Sequence, residues 1–365
     1  MKGILRGQFN SSGMEAETTS SPLSQLEAID TLKKLILYHT VDIWIGLVGS
    51  ALNIVLLAIF FSKRTFFQQN MLLVVLAIGD FCACCGVLSV GLSRRQLYSE
   101  ILLTGKVPVE NSWSCAMKPF VWLRLLGSVL PSVAVLWISI ERLLAVLTPV
   151  FYRNNLSRNK VTPSVCIFLY TTVLCTIAVV IAFLNRRQLA VYYCGRKASF
   201  SNLLSTYSYL SVSCCYIMAL FFNVLALINL GNAYAHRRNV VEIQRQLRIL
   251  RYLVIISFIS TIVILIPNVI SVFTVIYGRM PLTLVESASW ICALKSSLNL
   301  FVYLLLKTDF RSRTYELITL NKRHTSSSSD WDSPAPNVNK VPDFKSQMNG
   351  QYANTENEPL TNSAN

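Results

Sequence analysis

Residues 252–277 read YLVIISFISTIVILIPNVISVFTVIY, and this stretch contains no charged side chain. A helix needs about 20 mostly apolar residues to cross the hydrocarbon core of a bilayer. The stretch exceeds that length and is longer than a helix in a soluble core needs. We therefore expect residues 252–277 to lie in a helix that crosses a membrane.

Seven stretches of this kind occur in the chain of 365 residues, which is 53% hydrophobic and 14% charged. That composition is typical of a membrane protein. The stretches lack the alternating pattern of barrel strands, and backbone polar groups in lipid need partners within their own segment. The sequence therefore predicts an all-α membrane protein built as a seven-transmembrane-helix bundle. The predicted helices are Tyr38–Phe61, Asn70–Ser93, Lys118–Leu147, Thr162–Leu184, Leu203–Ala233, Leu247–Tyr277 and Leu284–Leu306.

The segments outside the bundle have compositions of their own. Near the N-terminus, Asn10 begins a glycosylation sequon, which is useful only on the extracellular side. After the seventh helix, Phe310 and Ile318 stand at helical spacing among basic residues, as in a helix that lies on the inner leaflet. The predicted organisation is an extracellular N-terminal segment (1–37), the bundle (38–306), an amphipathic membrane-surface helix (307–320) and a disordered cytoplasmic tail (321–365).

The formal net charge of +15 comes largely from basic residues at helix ends and in short loops. Such residues anchor helices to anionic headgroups, so we predict membrane lipids and no nucleic acid among the partners. An extracellular N-terminus and an odd number of spans put the C-terminus in the cytoplasm. We therefore predict a multi-pass protein of the plasma membrane, although basic residues lie on both sides and add little to this orientation.

Eight of the ten cysteines fall inside apolar spans, where free cysteine behaves as a small hydrophobic residue. The other two, Cys115 and Cys194, fall at the predicted outer surface, where the compartment is oxidising. We predict a disulfide between them. The cysteine clusters in the spans lack neighbouring histidines, so no metal site is predicted.

A few residues inside the spans are polar or distort a helix, and each requires a reason. A charged side chain at mid-helix costs about 2.5 to 3.5 kcal/mol on insertion scales. These residues are Asn53 in the first helix, Asp80 in the second, Arg142 at the inner end of the third, Pro267 in the sixth, and Asn299 with Tyr303 near the inner end of the seventh.

These residues stand in motifs that resemble the rhodopsin-like (class A) family of G-protein-coupled receptors, and the resemblance covers all seven helices. Each motif is short, but together they follow the family's order and depth. Residues 140–146 and 299–303 are most similar to the nematode serpentine chemoreceptor branches. The resemblance implies a receptor that binds an extracellular ligand and activates a heterotrimeric G protein. The matching motifs are Gly49–Asn53, Leu76–Asp80, Glu141–Leu143 with Pro149, Pro267, and Asn299–Tyr303 with Phe310.

The resemblance also implies a two-state switch at the inner end. Glu141 would restrain Arg142 until the sixth helix swings about the kink at Pro267, and Asn299 with Tyr303 would take part in coupling. The alternative is that Pro267 only shapes the bundle and that Glu141 and Arg142 form an ordinary interfacial charge pair.

A polar core is expected in the middle of the bundle, where Asn53, Asp80 and Asn299 converge on a hydrated cluster. Lys295 lies one helical turn before Asn299 and on the same face. We predict that its ammonium pairs with Asp80, the only acid expected on the facing surface, in place of the sodium ion of many relatives. The alternative is that Lys295 faces lipid and extends toward the headgroups.

The chain departs from the family pattern in ways that affect the switch. Leu265 stands where the family often has tryptophan, and Leu300 replaces the usual proline of the seventh helix. The inner end of the sixth helix carries no acid to hold Arg142. Signalling without ligand is therefore one expectation.

Lys118, Trp122 and Arg124, in the outer half of the third helix, are the predicted ligand-pocket residues. A cationic mouth favours a small anionic molecule or peptide through steering and bidentate pairing. Depending on the register, Trp122 or Arg124 occupies the place where amine receptors carry an aspartate, so a monoamine ligand is not expected. The alternative is that these cations extend to lipid headgroups.

Two other membrane functions compete with this interpretation. In a retinal-binding light sensor the family's Schiff-base lysine stands six residues before Asn299, and this chain has Ala293 there. A seven-helix transporter would show inverted repeats and several buried acids, and the sequence has neither. No enzyme and no cofactor are predicted, because the buried residues include no nucleophile, base or metal constellation.

The tail has a run of hydroxyl residues, 325–329, followed by Asp330. Phosphorylation there would add charge that recruits a basic partner. The family resemblance makes a receptor kinase and arrestin the expected partners, and a solvated linker is the alternative.

Overall fold

Seven long helices dominate the computed structural model, which describes residues 22–156, 161–190, 194–236, 241–277 and 282–327. An eighth helix follows the seventh. The predicted all-α seven-helix bundle is confirmed. The helices are α1 Pro22–Phe61, α2 Met71–Thr104, α3 Pro119–Leu147, α4 Val161–Leu184, α5 Asn202–His236, α6 Val241–Tyr277, α7 Leu282–Leu306 and α8 Thr308–Ser327.

Short elements connect the long helices. Two short strands, β1 (Glu110–Asn111) and β2 (Leu189–Ala190), pair antiparallel with Glu110 opposite Ala190. The short elements are Arg64–Gln69 between α1 and α2, β1 Glu110–Asn111 and Ser112–Ala116 before α3, Pro149–Phe151 with the π turn Tyr152–Leu156 after α3, and β2 Leu189–Ala190 with Arg196–Phe200 before α5.

Helices α1 to α6 are each long and apolar enough to cross a bilayer, and α7 taken with α8 as a bent pair brings the count to seven. Large apolar side chains on their outward faces are exposed, for example Val165, Leu169 and Val173 along α4. Such a surface suits lipid and not water. The chain is therefore a multi-pass membrane protein.

Helix α3 runs through the centre of the bundle, in contact with α2, α4 and α5, and α7 contacts α1, α2 and α6. Small residues let α2 and α3 approach closely. A Cβ atom on Gly79 would lie 2.5 Å from Pro131 Cδ, and one on Gly127 would lie 2.4 Å from Ala83 Cα. This close packing holds Asp80, the residue after Gly79, against the middle of α3.

The bundle has two ends. One, the disulfide end, carries Cys115 and Cys194, and the other, the Arg142 end, carries Arg142. At the disulfide end α1 begins at Pro22 and α2 continues to Thr104, so both are longer than their apolar stretches. Leu32 of α1 packs against Tyr98 of α2 in a buried cluster. Charged residues on the other faces of both helices interrupt the apolar sequence. The predicted α1 therefore started later, and the predicted α2 ended earlier, than the helices of the structure.

Gly105 follows the last residue of helix α2, and its φ of 66° lies in the left-handed region. The Gly105 N–H donates to Ile101 O at 2.9 Å, which satisfies a carbonyl of the last turn. This turn directs the chain back toward α3 through β1.

An aromatic cluster closes the Arg142 end. Phe60 of α1, Tyr303 of α7 and Phe310 of α8 pack with ring centroids 5.4 to 5.9 Å apart. Arg313 Nε donates to Ser62 Oγ at 3.0 Å, so the first turns of α8 are tied to the end of α1. The short helix predicted after residue 307 is present as α8, and it continues to Ser327.

Two predictions fall outside the described residues, the glycosylation site at Asn10 and the tail from residue 328 onward. The chain divides into a first unit that ends at Tyr315 and a second that begins at Glu316. Within the second unit Thr319 Oγ1 donates to Glu316 O at 3.0 Å.

The structure joins Cys115, just before α3, to Cys194 by a disulfide with a Cα–Cα distance of 5.3 Å. Both cysteines are buried in a cluster that includes Phe120 and Phe200. The bond ties the segment before α5 to the start of α3.

We expect Cys115→Ser or Cys194→Ser to lower the free energy of unfolding by about 2 to 4 kcal/mol, because the bond closes a long loop. The midpoint of thermal unfolding in detergent measures the loss. Cys166→Ser is the matched control, since Cys166 is an exposed free cysteine of α4. Equal midpoints for the Cys115, Cys194 and Cys166 variants would contradict the prediction.

Candidate functional site

A cavity of about 290 Å³ lies among α2, α3, α5, α6 and α7. It extends from the segment Cys194–Lys197 at the disulfide end down to Asp80 in the middle of the bundle. Its volume is near the lower end for pockets that hold small organic molecules. The cavity is therefore the candidate ligand site.

The lining of the cavity is strongly cationic. Among the described residues, two carboxylates line it, those of Asp42 and Asp80. In this described lining, positive charge exceeds negative charge by three, and the excess lies toward the disulfide end. The cationic residues in the lining are Arg94, Arg124, Arg196, Lys197 and Lys295.

Of the three residues predicted from sequence for the ligand pocket, Arg124 lines the cavity, whereas Lys118 and Trp122 do not. Lys118 forms an ion pair with Glu110. Trp122 turns its indole away, donating Nε1–H to Ala116 O at 2.7 Å and packing against Phe200. The prediction therefore needs correction at these two positions, because local partners before α3 hold both side chains.

Arg124 and Arg196 reach into the cavity from different elements. Arg124 of α3 extends to α7, where its Nη2 lies 3.5 Å from Ser289 Oγ. Arg196 follows the disulfide by two residues, donates Nη1–H to Ser128 Oγ at 3.1 Å and lies 4.5 Å over the Tyr209 ring. Together they place two guanidinium groups in the upper part of the cavity, which is the part nearest the disulfide end.

Sequence reasoning missed Arg196 as a pocket residue. Its position two residues after Cys194 was the available signal, because the disulfide holds this segment over the end of the bundle. A loop residue becomes a pocket residue only when that cross-link and the backbone direction are both known. Cys194 has a φ of 33°, and the chain turns sharply there.

Of the two acids in the described lining of the cavity, Asp42 is the one nearer the disulfide end, and it has two partners. His39 Nδ1 and Asp42 Oδ2 are 2.8 Å apart, and Trp290 Nε1–H donates to Asp42 Oδ1 at 2.8 Å. Both bonds are buried or partly buried. The bond from Trp290 ties α1 to α7 beside the cavity, and each carboxylate oxygen of Asp42 has one partner.

The floor of the cavity contains Asp80 and Lys295. Lys295 Nζ lies 3.6 Å from Asp80 Oδ1 and 3.5 Å from the Tyr216 hydroxyl. Asn299 Nδ2–H donates to Asp80 Oδ2. The side chains of Lys295 and Asp80 are 13% and 1% exposed, so the pair is largely buried. The structure thus places Lys295 beside Asp80, as predicted, brings Asn299 to the same carboxylate, and adds Tyr216 of α5.

Asn53 lies beside this floor without bonding to Asp80. Its Nδ2 donates to Gly49 O at 2.9 Å and to Ser296 O at 3.3 Å, which joins α1 to α7. The expected convergence of Asn53 with Asp80 is therefore indirect, because the amide bonds to the backbone of α7.

At the Arg142 end, Glu141 and Arg142 line a second cavity of about 170 Å³ with Asn70, Trp137 and Lys307. Glu141 accepts a hydrogen bond from the Tyr152 hydroxyl at 2.9 Å. Burial, then this hydrogen bond, raises the pKa of Tyr152 to about 12, so the hydroxyl remains protonated at physiological pH. Within the described part of the chain no direct ion pair joins Glu141 to Arg142, so the expected restraint stays a prediction.

Asn223 supplies a restraint that sequence reasoning missed. Its buried Nδ2 donates to Ser139 Oγ of α3 at 3.0 Å and to Ser257 Oγ of α6 at 3.2 Å. Ser139 lies three residues before Arg142, and Ser257 lies on the Arg142 side of Pro267. One amide of α5 therefore clasps α3 to α6. An amide inside an apolar span was the available signal.

Pro267 lines the ligand cavity as part of α6. The Ser271 hydroxyl donates to Pro267 O at 2.8 Å, and Asn268 Nδ2–H donates to Ile264 O at 3.0 Å. Side chains thus bond to backbone carbonyls around the proline, where the regular helix loses a bond.

Comparison with known families adds an independent result. The family model of the serpentine type seven-transmembrane G-protein-coupled chemoreceptors Srsx matches residues 43–318. The match extends from α1 into α8. The comparison with curated proteins gave no match.

We expect Lys295→Met alone and Asp80→Asn alone each to destabilise the folded protein by about 3 to 5 kcal/mol, because each leaves a buried charge without its partner. The double variant should lose less than the sum of the two single variants. Thermal unfolding midpoints of the four proteins in detergent measure this coupling. Strictly additive losses would show that the two groups do not interact.

Proposed function

The chain belongs to the Srsx family of serpentine seven-transmembrane chemoreceptors, and we propose that it binds a small anionic ligand and activates a heterotrimeric G protein. The predicted receptor family is confirmed, including its serpentine branch. This family is a class of receptors for extracellular ligands and not a class of enzymes.

The cationic cavity is the observation that carries the ligand proposal. Arg124 and Arg196 bring guanidinium groups into an enclosed space, and both carboxylate oxygens of Asp42 already bond to His39 and Trp290. Guanidinium groups in a low-dielectric site favour carboxylate or phosphate groups through charge-assisted hydrogen bonds. A cationic monoamine would meet a net repulsion there.

The proposed orientation places the disulfide end outside the cell and the Arg142 end in the cytoplasm of a plasma-membrane receptor. The disulfide supports it, because such bonds persist in oxidising compartments. An extracellular ligand would then enter the cavity beside Cys194–Lys197.

Coupling is proposed to occur at the Arg142 end, through Arg142 with Tyr303 and the segment of α6 below Pro267. The clasp made by Asn223 supports this, because it holds that part of α6 against α3. Ligand binding beside Pro267 would favour release of the clasp and expose Arg142 to the G protein. A receptor kinase and arrestin at the tail remain a prediction.

We expect a panel of small carboxylates and phosphates, applied to cells with a promiscuous G protein, to include activating compounds. Arg196→Gln should raise their half-maximal concentration about tenfold or more, because it removes a charge-assisted hydrogen bond. Arg187→Gln is the matched control, since Arg187 is exposed in the same connection and does not line the cavity. Activation by neutral or cationic compounds alone, or by light alone, would contradict the proposal.

We expect Asn223→Leu to raise ligand-independent signalling about fivefold, because the hydrogen bond of about 1 kcal/mol to Ser257 no longer holds α6. Adding Arg142→Ala should return signalling to background at normal surface expression. The measurement is basal G-protein activation per surface receptor.

Asn229→Leu is the control for the clasp. Asn229 lies farther along α5, and among the described residues its Nδ2–H donates to Leu225 O, in its own helix, at 2.8 Å. Its substitution should leave basal signalling unchanged. Equal basal activity in the Asn223 and Asn229 variants would remove the role assigned to the clasp.

A further inference from the structure

The floor of the ligand cavity differs in chemistry from its upper part. The upper part carries guanidinium groups, whereas the floor carries one ammonium and one carboxylate, whose charges cancel. A ligand that reaches both the upper part and the floor must therefore match two different sets of chemical groups. This inference rests on the proposed anionic-ligand function.

One carboxylate oxygen of the floor is only weakly hydrogen-bonded. Asp80 Oδ1 is buried and receives no hydrogen bond of regular length and angle from a described residue, although Lys295 and Ser296 both stabilise the carboxylate. Lys295 Nζ is 3.6 Å away, which is beyond hydrogen-bond length although close enough for charge attraction. Asn299 donates to the other oxygen, Oδ2. A buried carboxylate oxygen without a regular hydrogen bond is costly, and Oδ1 lies where the cavity ends.

The Lys295 ammonium can donate to a further acceptor. It carries three N–H groups, and its partners in the structure are the Asp80 carboxylate and the Tyr216 hydroxyl. A ligand group at the floor can therefore accept from Lys295 while it donates to Asp80 Oδ1.

Only a neutral group that both donates and accepts meets these two needs. A second carboxylate would lie beside Asp80 and repel it, and it has no proton to give to Oδ1 when ionised. An apolar end would leave Oδ1 without a regular hydrogen bond. A hydroxyl group supplies one donor and two acceptor positions.

The distance between the two levels follows from helix geometry. On α7, Ser289 contacts Arg124, and Lys295 comes six residues later, about 9 Å along the axis. On α2, Gly86 faces Arg124, and Asp80 comes six residues earlier, which gives about the same separation. The residue spacings along α7 and along α2 thus give the same distance between the upper part of the cavity and its floor.

Apolar residues form one part of the described cavity wall, beside the polar side chains of Asn268, Ser271 and Cys292. This apolar part suits the methylene groups of a ligand. Its residues are Ala83, Val87, Gly127, Val212, Ile264 and Ala293.

We infer that the ligand is a small hydroxylated organic acid, with its acid group at Arg124 and Arg196, an apolar chain of about 9 Å, and a hydroxyl group between Asp80 and Lys295. The acid provides attraction in the upper cavity. The hydroxyl provides specificity at the floor.

Four acids test this inference on the full-length receptor in detergent. The probes are octanoic acid, ω-hydroxyoctanoic acid, octanedioic acid and the short ω-hydroxybutanoic acid. The measurement is the concentration of each acid that gives half of the maximal rise in thermal unfolding midpoint. We expect ω-hydroxyoctanoic acid to need about tenfold less than octanoic acid, because it adds hydrogen bonds to a buried charged pair. Octanedioic and ω-hydroxybutanoic acids should bind no more tightly than octanoic acid.

Two variants assign the preference to the floor. The double variant Asp80→Asn with Lys295→Met should lose the tenfold preference for the hydroxy acid. Arg196→Gln, at the other level, should weaken both eight-carbon acids equally and keep the preference. If the double variant does not fold, the ranking of the four acids on the wild-type protein decides.

The outcomes separate the inference from the proposed function. Equal binding of octanoic and ω-hydroxyoctanoic acids, or tighter binding of octanedioic acid, overturns the hydroxyl inference and leaves the anionic-ligand proposal in place. Absence of a shift with every acid overturns both.

Discussion

An ammonium group in the middle of a membrane helix needs an anion within a few ångströms, because lipid and apolar side chains cannot solvate it. Lys295 imposes this constraint on α7, and Asp80 of α2 meets it at 3.6 Å. The close approach of α2 to α3 at Gly79 and Pro131 keeps Asp80 at this depth. Asn299 binds the other carboxylate oxygen, so α2 and α7 are held in one register. A shift of either helix by one turn would separate the charges by about 5 Å.

The second organising feature is the disulfide, which turns a loop residue into part of the site. Cys194 is fixed beside α3, and Arg196 reaches back over Tyr209 to Ser128. The cavity therefore has a cationic upper part that depends on a covalent bond and a neutral floor that depends on an ion pair. The floor also reaches α5 through the Tyr216 hydroxyl. Any ligand that contacts the floor thus touches groups of α2, α5 and α7 at once.

The sequence was sufficient for the seven helices because apolar length is a local property. It was also sufficient for the pairing of Lys295 with Asp80, since a buried charge restricts its own partners. It did not predict the extensions of α1 and α2, because their contacts involve single apolar faces such as Leu32 against Tyr98. It placed Lys118 and Trp122 in the pocket wrongly, because local bonds to Glu110 and Ala116 decide where those side chains point. Such bonds depend on the short segment before α3, whose conformation has no periodic signal.

At the Arg142 end a neutral contact joins α3 to α6. Glu141, the acid beside Arg142, accepts a hydrogen bond from Tyr152. The Asn223 amide joins the two helices through hydrogen bonds to Ser139 of α3 and Ser257 of α6, which are worth about 1 kcal/mol each. An ion pair removed from water would resist separation more strongly and would depend on the protonation of its acid. A clasp of neutral groups opens at modest cost and does not titrate. In a receptor with such a clasp, the balance between the two positions of α6 lies within the range that a few contacts from a small ligand can shift.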